Sequence, residues 1–343
     1  MNLIIPFNFS LKRFHSVIIL ASGVFLFLLS AQNVFAITLT PPRLELAGDP
    51  GEAINSSFKV TNDSNSNVTY YTQVENFEAQ DESGNPSFVT TKEGLATWVN
   101  VDESITIKAG EQKTIPFSIS VPRNAEPGGY FASIFVRTTP PPRNGGEVSI
   151  GARLGTLLLV RVNGEIQEGV DILEFSTKAK QRFYSSLPVE MYYRFQNTGS
   201  DRVKPEGDIV IKNILGMNSK ILSANRTDGS VLPRSIRKFE SFWINGGGGK
   251  EETTAELSSQ KIDGFFGQAK SQLSNFAFGI YSANLDIRFG ESGHTANSKF
   301  WFIVFPWQLT LIVVLGLLII FIIGRFLLRW YSKRVIRQHQ QKL

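Results

Sequence analysis

The sequence predicts an all-β fold, with two tandem sandwich domains followed by one C-terminal transmembrane helix. Apolar and polar residues alternate in short runs, and in residues 115–121 every second residue is apolar. Clusters of Gly, Pro, Asn and Asp separate these runs, and helical periodicity does not recur between residues 37 and 305. Similar runs follow one another in the same order twice, which indicates two copies of one sandwich.

The first 36 residues have the layout of a secretory signal peptide. Lys12 and Arg13 precede an uncharged run, residues 17–29, and small residues lead to Ala36. At 1.5 Å per residue this run of about 13 residues is too short for a hydrocarbon core of about 30 Å. We therefore expect cleavage after Ala36, with an uncleaved anchor as the alternative.

The first sandwich is predicted over residues 37–162. Its strand-like runs include residues 54–60, 105–107, 115–121, 129–132 and 153–162. Pro116 takes an outward position in its run, which favours an edge strand or a bulge there. The Pro- and Gly-rich residues 139–146 indicate a long loop between the last two strands.

The second sandwich is predicted over residues 163–305. Residues 193–197 echo residues 58–62, since each is a strand that runs into a turn led by an asparagine, Asn62 or Asn197. Chance similarity between β-proteins is the alternative to a true repeat. Residues 268–276 favour a short helix, and the strand at residues 300–304 leads to Pro306, which can open a membrane helix.

The C-terminal region predicts a membrane span at residues 306–328. The stretch from Leu309 to Leu328 supplies about 20 mostly apolar residues, the length that crosses a lipid bilayer. The tail at 329–343 holds Lys and Arg with no acid, which marks the cytoplasmic side. We expect a single-pass protein of the cell membrane with its ectodomain outside the cytoplasm.

The net charge of +5 suggests nucleic-acid binding until the charges are counted by segment. Six basic residues flank the end of the span and two lie in the leader, without acids, which leaves 27 basic against 30 acidic residues elsewhere. Nucleic-acid binding needs clustered positive charge, so it is excluded as the expected function. The chain has no cysteine, which excludes cysteine nucleophiles and a lipid-modified N-terminal cysteine.

No catalytic, cofactor or metal site is predicted, and we expect that the protein is not an enzyme. His294 is the one histidine of the ectodomain sequence, in a Gly/Ser-rich turn. Ser56 and Lys59 have the spacing of a serine acylase pair, yet residues three apart on a strand face opposite sides. The polar loop at residues 81–85 can hold calcium but lacks a regular ligand spacing, so a solvated turn is the stronger interpretation.

Two adjacent tyrosines are candidate contact residues for a carbohydrate or a protein. Neighbouring residues on a strand face opposite sides, so Tyr70 and Tyr71 cannot both face the core. One of them is therefore a binding candidate. Exposed strand edges offer a second mode, in which a segment of a partner adds a strand.

The order of parts resembles the WxL-interacting proteins of Gram-positive bacteria. The local features are residues 39–46 with their Pro41-Pro42 turn, the strand ending at Asn62, residues 122–130 and residues 300–307. The resemblance implies two immunoglobulin-like sandwiches, the first binding peptidoglycan and the second a host or partner protein. It also implies a protein that works beside cell-wall WxL proteins.

A weaker likeness is to the first domain of periplasmic pilus chaperones, through residues 127–130 and the strand at 153–162. In that family a basic residue near the first strand grips a partner's terminal carboxylate, and Arg43 is the nearest equivalent. The sequence thus predicts a non-enzymatic envelope protein that binds cell-wall polymer or an exported partner. The alternative is an extracytoplasmic chaperone or assembly factor, although the membrane anchor argues against a soluble one.

Overall fold

The structure is a computed structural model that describes residues 37–91, 93–140, 152–244, 264–290 and 292–340, with side chains as far as Tyr331. The predicted signal peptide and most of the predicted Pro- and Gly-rich loop lie outside these residues. So do the side chains of most of the basic tail.

The first sandwich is built from strands whose order in the chain differs from their order in space. The strands are β1 (Ile37–Thr40), β2 (Arg43–Gly48), β3 (Ala53–Asn62), β4 (Val68–Ala79), β5 (Pro86–Val89), β6 (Val99–Val101), β7 (Ser104–Ile107), β8 (Gln112–Ser120), β9 (Gly128–Arg137) and β10 (Arg153–Val162). One sheet has the order β1-β3-β8-β6, and the other has the order β2-β10-β9-β4-β5, with β7 also paired to β4. A 3-10 helix, Leu95–Thr97, lies before β6.

The second sandwich repeats this arrangement. Its strands are β11 (Val170–Thr177), β12 (Phe183–Tyr184), β13 (Val189–Asn197), β14 (Glu206–Asn213), β15 (Asn218–Ser223), β16 (Ile236–Trp243), β17 (Gly279–Phe289) and β18 (His294–Val304). They form sheets of order β11-β13-β16 and β12-β18-β17-β14-β15. In both halves the first strand is split between the sheets: β1 and β11 run antiparallel to their neighbours, whereas β2 and β12 run parallel to the last strand, β10 or β18. This shared topology confirms the predicted pair of immunoglobulin-like sandwiches.

The echoed asparagines lie at equivalent places, and both are fully buried. The Nδ2 group of Asn62 donates to the Ser66 carbonyl at 2.8 Å, and that of Asn197 donates to the Asp201 carbonyl at 2.7 Å, in each case four residues on. Each side-chain oxygen accepts the backbone N–H two residues later. The amides thus satisfy backbone groups that a turn would leave buried and unpaired.

Pro116 lies where strand β8 has a single partner. Strand β3 pairs with β8 along almost its whole length, but β6 pairs only with residues 117–119. Beyond that short ladder one side of β8 is open, so a residue without an N–H is tolerated. The predicted edge position is correct locally, although β8 is an inner strand of its sheet.

Two helices complete the described chain: α1 (Phe265–Ser274) precedes β17, and α2 (Trp307–Gln340) follows β18. The stretch Trp307–Tyr331 of α2 contains an 18-residue window with a mean hydropathy of 3.0, and none of that window is buried inside the protein. It is long and apolar enough to cross a membrane. Only Phe305 and Pro306 separate it from the last strand, as the sequence predicts.

Candidate binding site at the domain junction

The β4–β5 hairpin reaches from the first sandwich to the second. At its tip the Glu82 carboxylate accepts a hydrogen bond from Arg194 Nε at 2.9 Å, and the Glu82 carbonyl accepts the Lys238 N–H at 2.7 Å. The hydrogen bond from Arg194 lowers the pKa of Glu82. This hairpin therefore links the two domains. We call the contacts of Glu82 with Arg194 and Lys238 the clasp.

Four phenylalanines hold the hairpin in this position on the outer face of its sheet. They are Phe77, Phe88, Phe131 and Phe135. The Phe88 and Phe135 rings meet edge to face with centroids 4.8 Å apart, and the Arg153 guanidinium lies 4.1 Å from the Phe135 centroid. Arg153 also pairs with the Glu75 carboxylate at 3.3 Å. The first domain thus has a small second core beneath the hairpin.

A second set of contacts joins the domains on the side of the linker. The Gly129 N–H donates to the Ser200 carbonyl at 3.0 Å. Arg202 Nη2 of the second domain donates to the Glu45 carboxylate of the first at 2.8 Å, and Arg161 lies 3.6 Å from the Asp201 carboxylate. Together with the hairpin, these contacts join the two domains on both sides of the junction.

Strand β2 runs along this junction as the end strand of its sheet. The carbonyls of Pro42 and Gly48 accept backbone hydrogen bonds from the side of β10. Because backbone groups alternate in direction along a strand, the N–H and C=O groups of Arg43 and Ala47 face away from β10. These groups form an edge to which another strand can add.

Two cavities lie at the junction. The larger, of about 390 Å³, is lined by Arg161 of β10, which pairs with Ala47 near the end of β2. Its charged lining residues are Arg161, Arg202, Lys204, Arg288, Glu168, Asp201 and Glu206. The smaller, of about 100 Å³, lies beneath the hairpin, and Arg43, residues 230–232 and residues 235–237 contribute to its lining. The larger cavity is within the range of roughly 300–1,000 Å³ that small-ligand pockets occupy.

Most of the charge around β2 is balanced within the protein. Arg43 pairs with Glu45 at 3.1 Å, and Lys204 pairs with Asp228 at 2.5 Å. The hydrogen bond to Lys204, together with the positive charge of nearby Arg43, lowers the pKa of Asp228. An incoming carboxylate at Arg43 would thus compete with an acid that the protein already supplies.

Arg202 is the exception. Its Nη2 group donates to Glu45, but its Nη1 group is buried and has no hydrogen-bond acceptor among the described residues. A buried guanidinium donor without a partner is costly. Arg202 also contributes to the lining of the larger cavity. Sequence reasoning missed Arg202, because it lies 157 residues from its partner Glu45 and carries no local motif.

The structure separates the predicted contact residues. Arg43 lines the smaller cavity at the junction. Tyr70 is 2% exposed, and its hydroxyl donates to Asn62 in the core, whereas Tyr71 is half-buried on the opposite face. Of the two tyrosines, Tyr71 is the one left for a surface contact, and its role in binding stays a prediction.

Two of the residues considered for calcium binding or catalysis, Glu82 and His294, lie beside charged side chains of the protein itself. Glu82 of the 81–85 loop is engaged by Arg194 in the clasp. His294 is 56% exposed at its side chain, and its Nε2 lies 3.7 Å from the Glu168 carboxylate. Among the described residues, no group of three His, Cys, Asp or Glu side chains is placed to hold a metal ion.

No family model matches the chain, and no curated protein is similar to it in sequence, so neither comparison supports the resemblance to WxL-interacting proteins. Pilus chaperones are among its structural neighbours. The class 5 fimbriae chaperone CfaA matches 79% of this chain and 100% of its own, with 12% identity and a TM-score of 0.37. The E. coli chaperone DraB matches 79% of this chain and 98% of its own, with 12% identity and a TM-score of 0.35.

Another neighbour is the PapD-like domain 7 of human CEP192. It matches 40% of this chain and 97% of its own, with 14% identity and a TM-score of 0.27. Similarities at these scores and identities do not carry the function of any of these proteins to this chain.

Proposed function

We propose that the protein is a membrane-anchored, non-enzymatic protein of the cell envelope that binds an exported protein partner at the junction of its sandwiches. The observation that carries the proposal is the open edge of β2 beside the buried, unsatisfied Nη1 group of Arg202. An extended segment of the partner adds to β2 through backbone hydrogen bonds. A carboxylate of that segment enters the larger cavity and accepts from Arg202.

The contacts across the junction support this proposal because a strand-addition site benefits from surroundings that are already joined. Glu82 bonds to the second domain on one side, and Arg202 bonds to Glu45 on the other, before a partner arrives. Binding then costs less conformational entropy than if the domains had to be ordered at the same time.

Site-specific photo-crosslinking in cells that express the full chain tests the proposal. A photoreactive residue at Ala47 should yield an adduct with an exported protein. The matched control is Asn100, an exposed residue on the edge strand β6 of the opposite sheet, where no such adduct should form. Arg202→Gln should reduce the Ala47 adduct more than Arg43→Gln, because only Arg202 has a buried guanidinium nitrogen without an acceptor among the described residues. Equal adducts at both positions, or none at Ala47, would contradict the proposal.

The identity of the captured chain separates two forms of this function. A newly exported, unfolded subunit indicates a chaperone or assembly factor, whereas a mature surface protein indicates a stable complex. Pulse labelling before crosslinking distinguishes them, since a client of an assembly factor is captured only shortly after its synthesis.

Binding of cell-wall polymer, the other partner predicted from the sequence, has its own experiment. The full-length protein in detergent is sedimented with insoluble peptidoglycan sacculi, and Tyr71→Ala is compared with the wild type. Cosedimentation that depends on Tyr71, without an adduct at Ala47, would replace the protein-partner proposal by wall binding.

A further inference from the structure

Helix α1 buries Ala269 and the polar Gln272 and exposes two large apolar side chains. Gln272 is 1% exposed, and it bonds to Gln308 and accepts the Leu309 N–H at 2.9 Å at the start of α2. Phe266 and Leu273, by contrast, are 78% and 66% exposed. They are seven residues apart and so share one face of the helix. A helix on a water-facing surface has the opposite arrangement.

The tip of the β14–β15 hairpin is a second exposed apolar feature at the same end of the domain. It presents Ile214, Leu215 and Met217, which are 67%, 76% and 56% exposed. Asn213, just before the tip, pairs with Tyr281, and Gly279 pairs with Val304. Strand β14 therefore points its tip toward the end of β18, where the membrane helix follows.

The chain that leads into α2 adds further exposed aromatic side chains. These are Phe276, Phe278, Phe305 and Trp307, which are 51%, 56%, 42% and 49% exposed. Helix α2 begins three residues after Val304, which is at most about 11 Å of extended chain. All these side chains consequently lie close to the level at which a span would enter the bilayer.

The charges in these segments are of one sign. Residues 210–222, 264–285 and 299–308 hold four lysines, Lys212, Lys220, Lys270 and Lys299, and no acidic residue. The ectodomain as a whole has more acidic than basic residues. Lysines beside exposed apolar side chains match a surface of anionic lipid headgroups.

We propose that these apolar residues form a collar around the start of α2 that is immersed in the interfacial region of the bilayer. The collar consists of the hairpin tip at 214–217, Phe266 and Leu273 of α1, Phe276, Phe278 and Phe305. Its occupant is lipid because the collar is continuous with the exposed apolar surface of α2. In this setting Gln272 satisfies the Leu309 N–H, which water does not reach within the bilayer. The inference rests on the membrane anchoring in the proposed function.

Fluorescence quenching of the full-length protein in vesicles tests the collar. The chain has no cysteine, so a single cysteine can be labelled with an environment-sensitive dye without further changes. The positions are Leu215→Cys and Phe266→Cys, with Ser292→Cys as the matched control in the exposed turn at the far end of β17 and β18. The vesicles contain phosphatidylcholine and phosphatidylglycerol. Quenchers are attached to the lipid chains or dissolved in the water.

At Leu215→Cys and Phe266→Cys we expect blue-shifted emission that lipid-attached quenchers reduce, and at Ser292→Cys quenching from the water alone. Adding Leu215→Asp to the Phe266→Cys protein should shift its dye toward water. Resistance to alkaline extraction reports insertion of α2 separately. Extraction of the protein would overturn the anchoring itself. A resistant protein whose collar dyes are quenched only from water, or shielded from both quenchers by a second copy, would overturn the collar alone.

Discussion

The β4–β5 and β14–β15 hairpins occupy the same place in the two sandwiches, but their tips carry opposite chemistry. Strands β4 and β14 each pair with the penultimate strand of their own domain, β9 or β17. The first tip, residues 80–85, holds Asp81 and Glu82, and it meets Arg194 of the second domain. The second tip, residues 214–217, is apolar and points toward the start of α2.

Both hairpins therefore point along the molecule toward whatever follows their domain. The backbone of the repeat sets the direction, and a few side chains at the tip select the neighbour. A charged tip suits an arginine on a protein surface, whereas an apolar tip suits a bilayer. The comparison teaches that hairpins at the same place in a shared topology can carry tips of opposite chemistry.

The largest effect is expected from truncating one of the four phenylalanines that lie beneath the β4–β5 hairpin. Phe135→Ala should lower the free energy of unfolding of the first domain by about 3 kcal/mol, because it leaves a cavity among four packed rings. Urea unfolding of the full chain in detergent, followed by hydrogen exchange of peptides from residues 37–162, measures this. Phe183→Ala, at a side chain 69% exposed, is the control and should change stability by less than about 0.5 kcal/mol. An equal effect of the two substitutions would show that the packed phenylalanines do not stabilise the first domain.

A smaller loss is expected at the paired asparagines. Asn62→Ala and Asn197→Ala should each cost about 2 kcal/mol, since each leaves buried backbone groups unpaired. Asn62 should cost more, because it also accepts the Tyr70 hydroxyl at 3.0 Å. Thermal unfolding of the full chain in detergent measures both, with exposed Asn100→Ala as the control. If either substitution left the thermal stability unchanged, that asparagine would not stabilise its domain through these hydrogen bonds.

The smallest effect is expected at the clasp. Glu82 and Arg194 are each about one-third exposed, so Glu82→Gln should cost less than about 1 kcal/mol after solvent screening. The pKa of Glu82 is lowered in the folded state, so its contribution is present above the ordinary carboxyl value of 4.5 and is lost as pH falls through the folded pKa.

Unfolding measured at several pH values, with Glu78→Gln on the same hairpin as the control, tests this dependence. The wild type and Glu82→Gln should differ at neutral pH and converge in acid. A difference that persists at low pH would mean that the clasp acts through packing rather than charge.

Much of the fold could be predicted from the sequence because alternation and turn residues are local signals. Residues 153–162 were expected as a strand and are β10, and the weak helical pattern at 268–276 lies largely within α1. The turns at Asn62 and Asn197 are indicated by the similarity of residues 58–62 to residues 193–197. The parallel pairing of β2 with β10 could not be predicted, because it joins residues more than 100 positions apart.

The candidate site was much harder to predict. Arg43 was identified by resemblance and does lie at the junction, but Arg202 has no signal of its own in the sequence. The sequence indicates a solvated turn around Glu82, with a calcium loop as the alternative, whereas its partner in the structure, Arg194, is 112 residues away. A site formed between domains depends on their relative placement, which side-chain alternation does not encode.

The short passage from β18 through Phe305 and Pro306 into α2 has a mechanical consequence. A pull between a partner held by the first domain and the membrane would act along β18, whose ladder with β17 extends from Gly279 opposite Val304 to Phe289 opposite His294. Force along a strand loads its hydrogen bonds in shear, so they share the load instead of opening one at a time. With the proposed anchoring and partner binding, the second sandwich would bear the tension between the membrane and the partner.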